Sequence, residues 1–188
     1  CREIINLKAI LNLPKGTEHF MSDLHGEYEA FYHILNNAAG VIKEKVDMIF
    51  GSRLSARERQ EICTLVYYPV EKIKLLKEQN VITPYWYKIT LKNLTELARL
   101  LSSKYTRSKV RKALPPEFSY IIDELLHAQP DEDNNQYVYH EKIIDTIIDI
   151  GSADAFIEAY TKLIKRLAVD HLHIVGDIFD RGSNADRI

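Results

Sequence analysis

The sequence lacks several features that would assign it to a membrane or secreted class. No apolar run approaches the roughly 20 residues needed to cross a bilayer. The first residues do not follow the basic, apolar and small-residue order of a secretory signal peptide. The two cysteines, Cys1 and Cys63, cannot build a disulfide framework, which favours a reducing environment. Repeats of solenoid length and low-complexity segments are also missing. Together these absences predict a cytoplasmic globular protein.

The composition is that of a chain that can bury a core. Its 188 residues are 46% hydrophobic and 28% charged, which argues against wholesale disorder. A chain of this length predicts one domain, or one domain and part of another. The sequence starts at Cys1 rather than Met and stops at Ile188, just after its densest motif. We therefore expect it to be a fragment of a longer protein.

The net charge of −2 hides a strong asymmetry along the chain. Residues 41–112 carry 16 Lys and Arg against 7 Asp and Glu, a net charge of +9. Residues 113–158 carry 1 against 11, a net charge of −10. Basic residues alternate with apolar ones at helical spacing, so we favour helices that neutralise each other. The alternative is a basic surface for an anion such as a phosphorylated metabolite, a nucleotide or nucleic acid.

Hydrophobic spacing predicts a mainly helical chain with a short strand near each end. The polar residues 130–136 predict a loop. Gly151 and Ser152 interrupt a long apolar stripe and predict either two successive helices or one kinked helix. The predicted helices are 3–11, 27–37, 91–101, 118–126 and 143–167, and the predicted strands are 17–22 and a buried strand at 171–177.

This order of elements predicts an α/β fold in which a large, mainly helical insertion interrupts the core. Residues 1–40 would start the core and residues 41–135 would form the insertion, hereafter the helical insertion. Residues 136–188 would return to the core with a helix, a strand and a polar loop. A sheet of this kind places its ligands beyond the carboxyl ends of its strands.

Two short motifs with the same design follow the two predicted strands. Residues 23–26 read DLHG, and residues 176–182 read GDIFDRG. In each motif an apolar strand leads directly into acidic or imidazole side chains and a glycine, which allows a tight turn or a close backbone approach. If the two strands are neighbours, both motifs lie at one edge of the sheet.

The residue types in these motifs suit a metal site. Asp23 and His25, two positions apart, offer a mixed oxygen and nitrogen donor set that suits Mn, Fe or Zn better than Ca or Mg. Asp177, from the second strand, could place its two oxygens on two metals. Asp180 could orient an imidazole, and the guanidinium of Arg181 could grip phosphate oxygens with two hydrogen bonds.

Ordinary structural roles compete with this interpretation. Asp23 could cap the following helix with His25 on the surface, and residues 180–182 could be a simple turn. DxHG alone is weak evidence, because it arises by chance in roughly one such chain in fifty. GDxxDRG arises in about one in ten thousand, so the two motifs in order favour a functional site.

The two motifs resemble the first two signature blocks of the binuclear metallophosphoesterases, especially the phosphoprotein phosphatase branch. That pattern is GDxHG, GDxxDRG, then GNHE or GNHD and two further histidines. Here Ser22 replaces the first glycine, and Asp23 and Asp177 are 154 positions apart. This wide gap, together with residues 12–31, 67–69 and 173–183, is similar to the class III fructose-1,6-bisphosphatase family.

The resemblance implies a partial metallophosphoesterase αββα sandwich and a role for each motif residue. It implies that Asp23 and His25 ligate one Mn²⁺ ion and that Asp177 bridges two. Asp180 would hold a catalytic histidine beyond Ile188, and Arg181 would contact the substrate phosphate. The implied reaction is hydrolysis of the 1-phosphate of fructose 1,6-bisphosphate, in gluconeogenesis, by hydroxide activated by two metals. The remaining ligands would lie outside this chain, so we expect residues 1–188 alone to be inactive.

Other functions remain open from the sequence. The motifs bind metal and phosphate rather than the leaving group, so another metallophosphoesterase, acting on phosphoproteins or dinucleoside polyphosphates, fits them too. A non-catalytic helical regulatory module would fit the charge asymmetry. We expect a sugar bisphosphate as the partner, with no nucleic acid and no membrane, and the sequence leaves a homo-oligomer open. The helical insertion is expected to cap the active site or to carry subunit or effector contacts.

Overall fold

The computed structural model describes residues 1–127 and 134–188, which are mainly helical with one small parallel sheet. In this part of the chain the strands are β1 (Glu18–Ser22) and β2 (His171–Val175). The α-helices are α1 (Arg2–Ile10), α2 (Tyr28–Asn37), α3 (Val41–Phe50), α4 (Ala56–Tyr67), α5 (Pro69–Glu78), α6 (Pro84–Ser102), α7 (Arg107–Ala113), α8 (Ser119–His127), α9 (Asn134–Asp149) and α10 (Ala153–Ala168).

The hydrophobic core is helical and centres on α10. Phe156, Tyr160 and Leu163 project from this helix and are fully buried. Phe156 makes an edge-to-face contact with the Tyr160 ring, with centroids 5.2 Å apart. The apolar stripe of α6 packs against α10 and includes Leu94 and Leu97, which are also fully buried. Both stripes have the helical spacing seen in the sequence, so each helix can bury one apolar face against the other.

Most predicted elements are confirmed, including both strands and the helices at 3–11, 27–37 and 91–101. Gly151, with φ +71°, separates α9 from α10, so the predicted interruption yields two helices. The predicted loop at 130–136 is wrong for residues 134–136, which begin α9, and its residues 130–133 lie outside the described part. Polar composition favoured a loop there, but a helix can start with polar residues on its exposed side.

Ion pairs between helices explain the charge asymmetry. Lys88 on α6 contacts Glu141 at 3.0 Å and Asp145 at 2.7 Å on α9. Arg107 on α7 lies 3.3 Å from Asp123 on α8. These pairs join the basic segment 41–112 to the acidic segment 113–158, as the favoured interpretation predicts.

The two strands are parallel neighbours although 148 residues separate them. Glu18 pairs with His171 at one end and Ser22 with Val175 at the other. The prediction that β2 is buried is wrong, because Val175 is 57% exposed and Leu172 is 37% exposed. Parallel strands are normally covered on both faces, and the described residues contain no third strand and leave much of the sheet surface open.

None of the helices in the described ranges has the length and apolar character that crossing a membrane requires.

Candidate metal centre

The two motif loops lie side by side because the strand pairing continues into them. Beyond β1, the Asp23 amide donates to the Val175 carbonyl at 3.1 Å. The His25 amide then donates to the Asp177 carbonyl at 3.1 Å, and the Gly26 amide to the Ile178 carbonyl at 2.8 Å. These bonds hold residues 23–26 against residues 176–182, as the rule for parallel sheets predicts.

Glycine is required where the loops touch. A Cβ atom on Gly182 would lie 2.3 Å from the carbonyl carbon of Gly26, far inside van der Waals contact. A Cβ on Gly176, where φ is +78°, would lie 2.6 Å from Oδ1 of Asp23. The close approach of the two backbones therefore explains why the motifs contain glycine at these positions.

Three of the predicted site residues form a cluster. One ligand atom from each of His25, Asp177 and Asp180 lies within 4.8 Å of the others. Nδ1 of His25 is 2.7 Å from Oδ1 of Asp180. This hydrogen bond is the main reason that the pKa of Asp180 lies below its ordinary value. Because the bond occupies Nδ1, Nε2 is the ring nitrogen left for another partner.

The backbone of the first loop is strained at the site. Asp23 and His25 have φ values of +55° and +48°, in the left-handed region that non-glycine residues seldom adopt. Such conformations cost about 1–3 kcal/mol each and collect at active sites and ligand clamps. The left-handed conformation of these two residues turns the chain tightly at the end of β1. This turn places the His25 ring beside the second loop.

Asp23 occupies a different position from the other three. Its Oδ1 lies 3.4 Å from the Asp177 amide nitrogen, which donates to it, and it also contacts Gly176. The carboxylate is thus tied to the base of the second loop, and it does not belong to the cluster formed by His25, Asp177 and Asp180. Its predicted role as a metal ligand stays a prediction.

Arg181 lies at the solvent side of the cluster. Its side chain is 73% exposed, and its Nε is 3.3 Å from Oδ2 of Asp180. The contact holds the base of the guanidinium and leaves most of it accessible to a phosphate. The predicted phosphate contact of Arg181 also stays a prediction.

The cluster suits a divalent cation by its chemistry. One imidazole and two carboxylates give the mixed nitrogen and oxygen donors that manganese accepts. All three side chains are at least partly exposed. The donor set therefore fits manganese, and three side chains are fewer than two such ions would need.

Sequence reasoning missed a cation–aromatic contact between residues that follow the two motifs. The Arg187 guanidinium stacks 4.1 Å from the centre of the Tyr28 ring, and its Nη1 is 3.4 Å from Glu29. Tyr28 and Glu29 begin α2, which directly follows the first motif. The contact therefore joins the segment that follows the second motif to the helix that follows the first. No spacing pattern links residues so far apart in the chain.

Among the remaining histidines, His173 lies on β2 and packs against the neighbouring strand. The His173 ring stacks on Phe20 with centroids 4.6 Å apart, and its Nε2 is 3.3 Å from Glu18. Both partners lie on β1. His173 therefore packs within the sheet.

Comparison with known proteins gives a consistent result along the whole chain. The family model described as Firmicute fructose-1,6-bisphosphatase matches residues 1–188. A protein named fructose-1,6-bisphosphatase class 3 from Clostridium acetobutylicum is 62% identical over 186 residues, which are 99% of this chain and 28% of that protein. The protein of the same name from Clostridium tetani is 58% identical over 188 residues, or 100% of this chain and 28% of that protein.

A relative from another bacterial group agrees with these two. The fructose-1,6-bisphosphatase class 3 of Bacteroides thetaiotaomicron is 58% identical over 183 residues, covering 97% of this chain and 27% of that protein. The chain thus spans little more than a quarter of the length of these curated relatives. No solved structure matches it. By sequence and by the family model, the chain belongs to the Firmicute fructose-1,6-bisphosphatase family.

Proposed function

We propose that the full-length protein is a manganese-dependent fructose-1,6-bisphosphatase that releases the 1-phosphate and yields fructose 6-phosphate. The observation that carries this proposal is the cluster of His25, Asp177 and Asp180 at the ends of two parallel strands. The names of the relatives supply the substrate, since the motifs themselves recognise metal and phosphate. The reaction belongs to gluconeogenesis, and its location would be the cytoplasm.

We also propose that the two strands belong to a metallophosphoesterase αββα core. The parallel pairing of β1 and β2 with both motifs at one edge supports this assignment. The exposed sheet surface supports it too, because a parallel sheet needs cover on both faces. Residues 41–135 would then be an insertion between the first two signature blocks.

The proposed chemistry divides between the ions and this chain. Divalent ions in such a site supply Lewis acidity, which activates water and neutralises phosphoryl oxygens. His25, Asp177 and Asp23 would hold the ions. His25 would bind through Nε2, because Asp180 engages its Nδ1. Arg181 would grip the substrate phosphate with two charge-assisted hydrogen bonds. The protein's share is thus positioning and electrostatic stabilisation.

The family resemblance also implies that Asp180 holds a catalytic histidine beyond Ile188. Among the described residues its partner is His25. A carboxylate has two oxygens, and Oδ2 of Asp180 lies 3.3 Å from Nε of the exposed Arg181. The second oxygen could therefore accept from another imidazole without breaking the first bond.

The substrate is tested by direct comparison in the full-length protein. With Mn²⁺, fructose 1,6-bisphosphate should release phosphate much faster than a phosphopeptide or a dinucleoside polyphosphate. A clear preference for the peptide or the dinucleotide would replace the sugar bisphosphate while keeping the metal chemistry. Failure to hydrolyse any of the three would favour a non-catalytic module.

A further inference from the structure

We propose that Asp170 is a positioning residue that clamps the starts of both motif-bearing strands to the helical insertion and thereby sets the geometry of the metal centre. The proposal rests on the proposed function and adds a residue outside the two motifs. Asp170 directly precedes β2, and its main partner Thr17 directly precedes β1. The clamp therefore acts at the ends of the strands opposite the cluster.

The first half of the clamp joins the two strands. The Asp170 amide donates to the Thr17 carbonyl at 2.9 Å, and the Thr17 amide donates to Oδ2 of Asp170 at 2.8 Å. A Cβ on Gly16 would lie 2.7 Å from the same Oδ2, so the approach depends on glycine at this position. These contacts fix which residue of β1 faces which residue of β2.

The second half of the clamp joins the strands to the helical insertion. The Tyr105 hydroxyl donates to Oδ2 of Asp170 at 2.6 Å, and Nζ of Lys109 on α7 donates to Oδ1 at 2.5 Å. Lys104 donates to Oγ1 of Thr17 at 3.1 Å. The Asp170 side chain is only 3% exposed, so losing these donors would leave a buried charge without compensation.

The clamp fixes the strand register at the end of the sheet opposite the motif loops, whose own backbone hydrogen bonds hold the other end. A slip of one residue in a strand pair turns every side chain to the opposite face. Burial of one face usually prevents this, but much of the surface of β1 and β2 is exposed in the described residues. A slip would also carry Asp177 away from His25. The seven-residue span from Asp170 to Asp177 is roughly 20 Å long, so Asp170 acts through the strands.

The helical region offers a chemically matched control. Asp154 on α10 accepts from the Tyr87 hydroxyl at 2.7 Å and from the Lys77 ammonium. It therefore has a tyrosine and a lysine as donors, like Asp170, but its partners lie on α5 and α6 and neither strand takes part. Removing its charge perturbs helix packing without touching the strand ends.

The test uses the full-length protein with three variants, Asp170→Asn, Tyr105→Phe and Asp154→Asn. Mn²⁺ affinity is measured by titration of the metal-free protein, and hydrogen exchange is followed at the amides of Asp23, His25 and Gly26. We expect Asp170→Asn to raise the Mn²⁺ dissociation constant about tenfold, the lower end for residues that orient metal ligands. These three amides should also exchange faster, while Asp154→Asn leaves both measurements unchanged.

Tyr105→Phe keeps the ring and removes one donor, so it carries the test if Asp170→Asn does not fold. A double variant that combines Asp170→Asn with Tyr105→Phe should lose no more Mn²⁺ affinity than Asp170→Asn alone, because both changes break the same clamp. Wild-type Mn²⁺ affinity and wild-type exchange rates in both Asp170→Asn and Tyr105→Phe would overturn the proposal. An equal loss of Mn²⁺ affinity in Asp154→Asn would also overturn it. Exchange does not require metal or turnover, so it tests the clamp even if the proposed activity fails.

Discussion

At the scale of single residues, Asp170 links stability to pH. Burial opposes its charge, but hydrogen bonds from Lys109, Tyr105 and the Thr17 amide outweigh burial and lower its pKa to about 2. In the unfolded chain this carboxyl titrates near pH 4. Its charged form therefore contributes about 2 kcal/mol of stability above that pH, and the contribution is lost as the pH falls from about 4 to about 2.

Denaturant unfolding of wild type and Asp170→Asn at several pH values measures this contribution. The difference in free energy of unfolding should shrink by about 2 kcal/mol between neutral pH and about pH 2. The same comparison for Asp154→Asn corrects for general acid effects on the helices. A difference between wild type and Asp170→Asn that does not change with pH would contradict the assigned pKa.

Gly182 gives a steric prediction at the metal centre. Alanine at this position would place its Cβ 2.3 Å from the Gly26 carbonyl carbon, so the two loops would have to separate. We expect Gly182→Ala to abolish measurable Mn²⁺ binding in the full-length protein while helical circular dichroism stays intact. Gly151→Ala is the control, because a Cβ there meets nothing within 4 Å.

Gly151→Ala should lower the free energy of unfolding by about 1–2 kcal/mol, because alanine is strained at a left-handed position. It should leave Mn²⁺ binding unchanged. Wild-type metal affinity in Gly182→Ala would show that the close loop approach is not needed for the site.

At the scale of elements, α10 organises the helical core. Phe156 is fully buried and contacts Phe118 edge to face, with ring centroids 4.9 Å apart. We expect Phe156→Ala to lower the free energy of unfolding by about 3–5 kcal/mol, because it removes apolar area and leaves a cavity. Tyr85→Ala, at an exposed position of α6, should change it by less than about 0.5 kcal/mol. Denaturant titration monitored by circular dichroism compares the two, and similar losses would contradict the assigned core.

Much of the fold could be predicted because helical spacing and turn residues are local signals. The stripes of α6 and α10 and the interruption at Gly151 depend on neighbours a few positions away. The exposure of β2 could not be predicted, because an apolar run reports a need for burial and not which part of the protein covers it. The relatives are more than three times as long as this chain, so their other residues are available for that role.

The candidate site was likewise predictable only in part from the sequence. The motifs located His25, Asp177 and Asp180, which the structure brings together. They did not reveal that Asp23 contacts the Asp177 amide or that Asp170 binds Tyr105 and Lys109. These contacts join residues more than 60 positions apart, and no local pattern encodes them.

At the scale of the whole molecule, the chain contains part of the proposed metal site. Its proposed ligands in this part of the chain are His25, Asp177 and Asp23, while Asp180 holds Nδ1 of His25. Two manganese ions need more donors than these, since each prefers about six. We therefore expect residues 1–188 alone to bind at most one Mn²⁺ weakly and to release no phosphate from fructose 1,6-bisphosphate. Isothermal titration and a phosphate-release assay on the isolated segment check this, and Mn²⁺-dependent turnover would contradict it.

We propose that Asp177 holds catalytic metal in a fructose-1,6-bisphosphatase, and Asp177→Asn in the full-length protein tests this role most directly. The measurement is Mn²⁺-dependent phosphate release from fructose 1,6-bisphosphate, with Asp154→Asn as a control for lost charge. We predict that Asp177→Asn lowers kcat roughly 100-fold or more while circular dichroism and thermal unfolding of the helices stay near wild type. Activity equal to that of wild type would contradict the account and favour a helical module without metal chemistry.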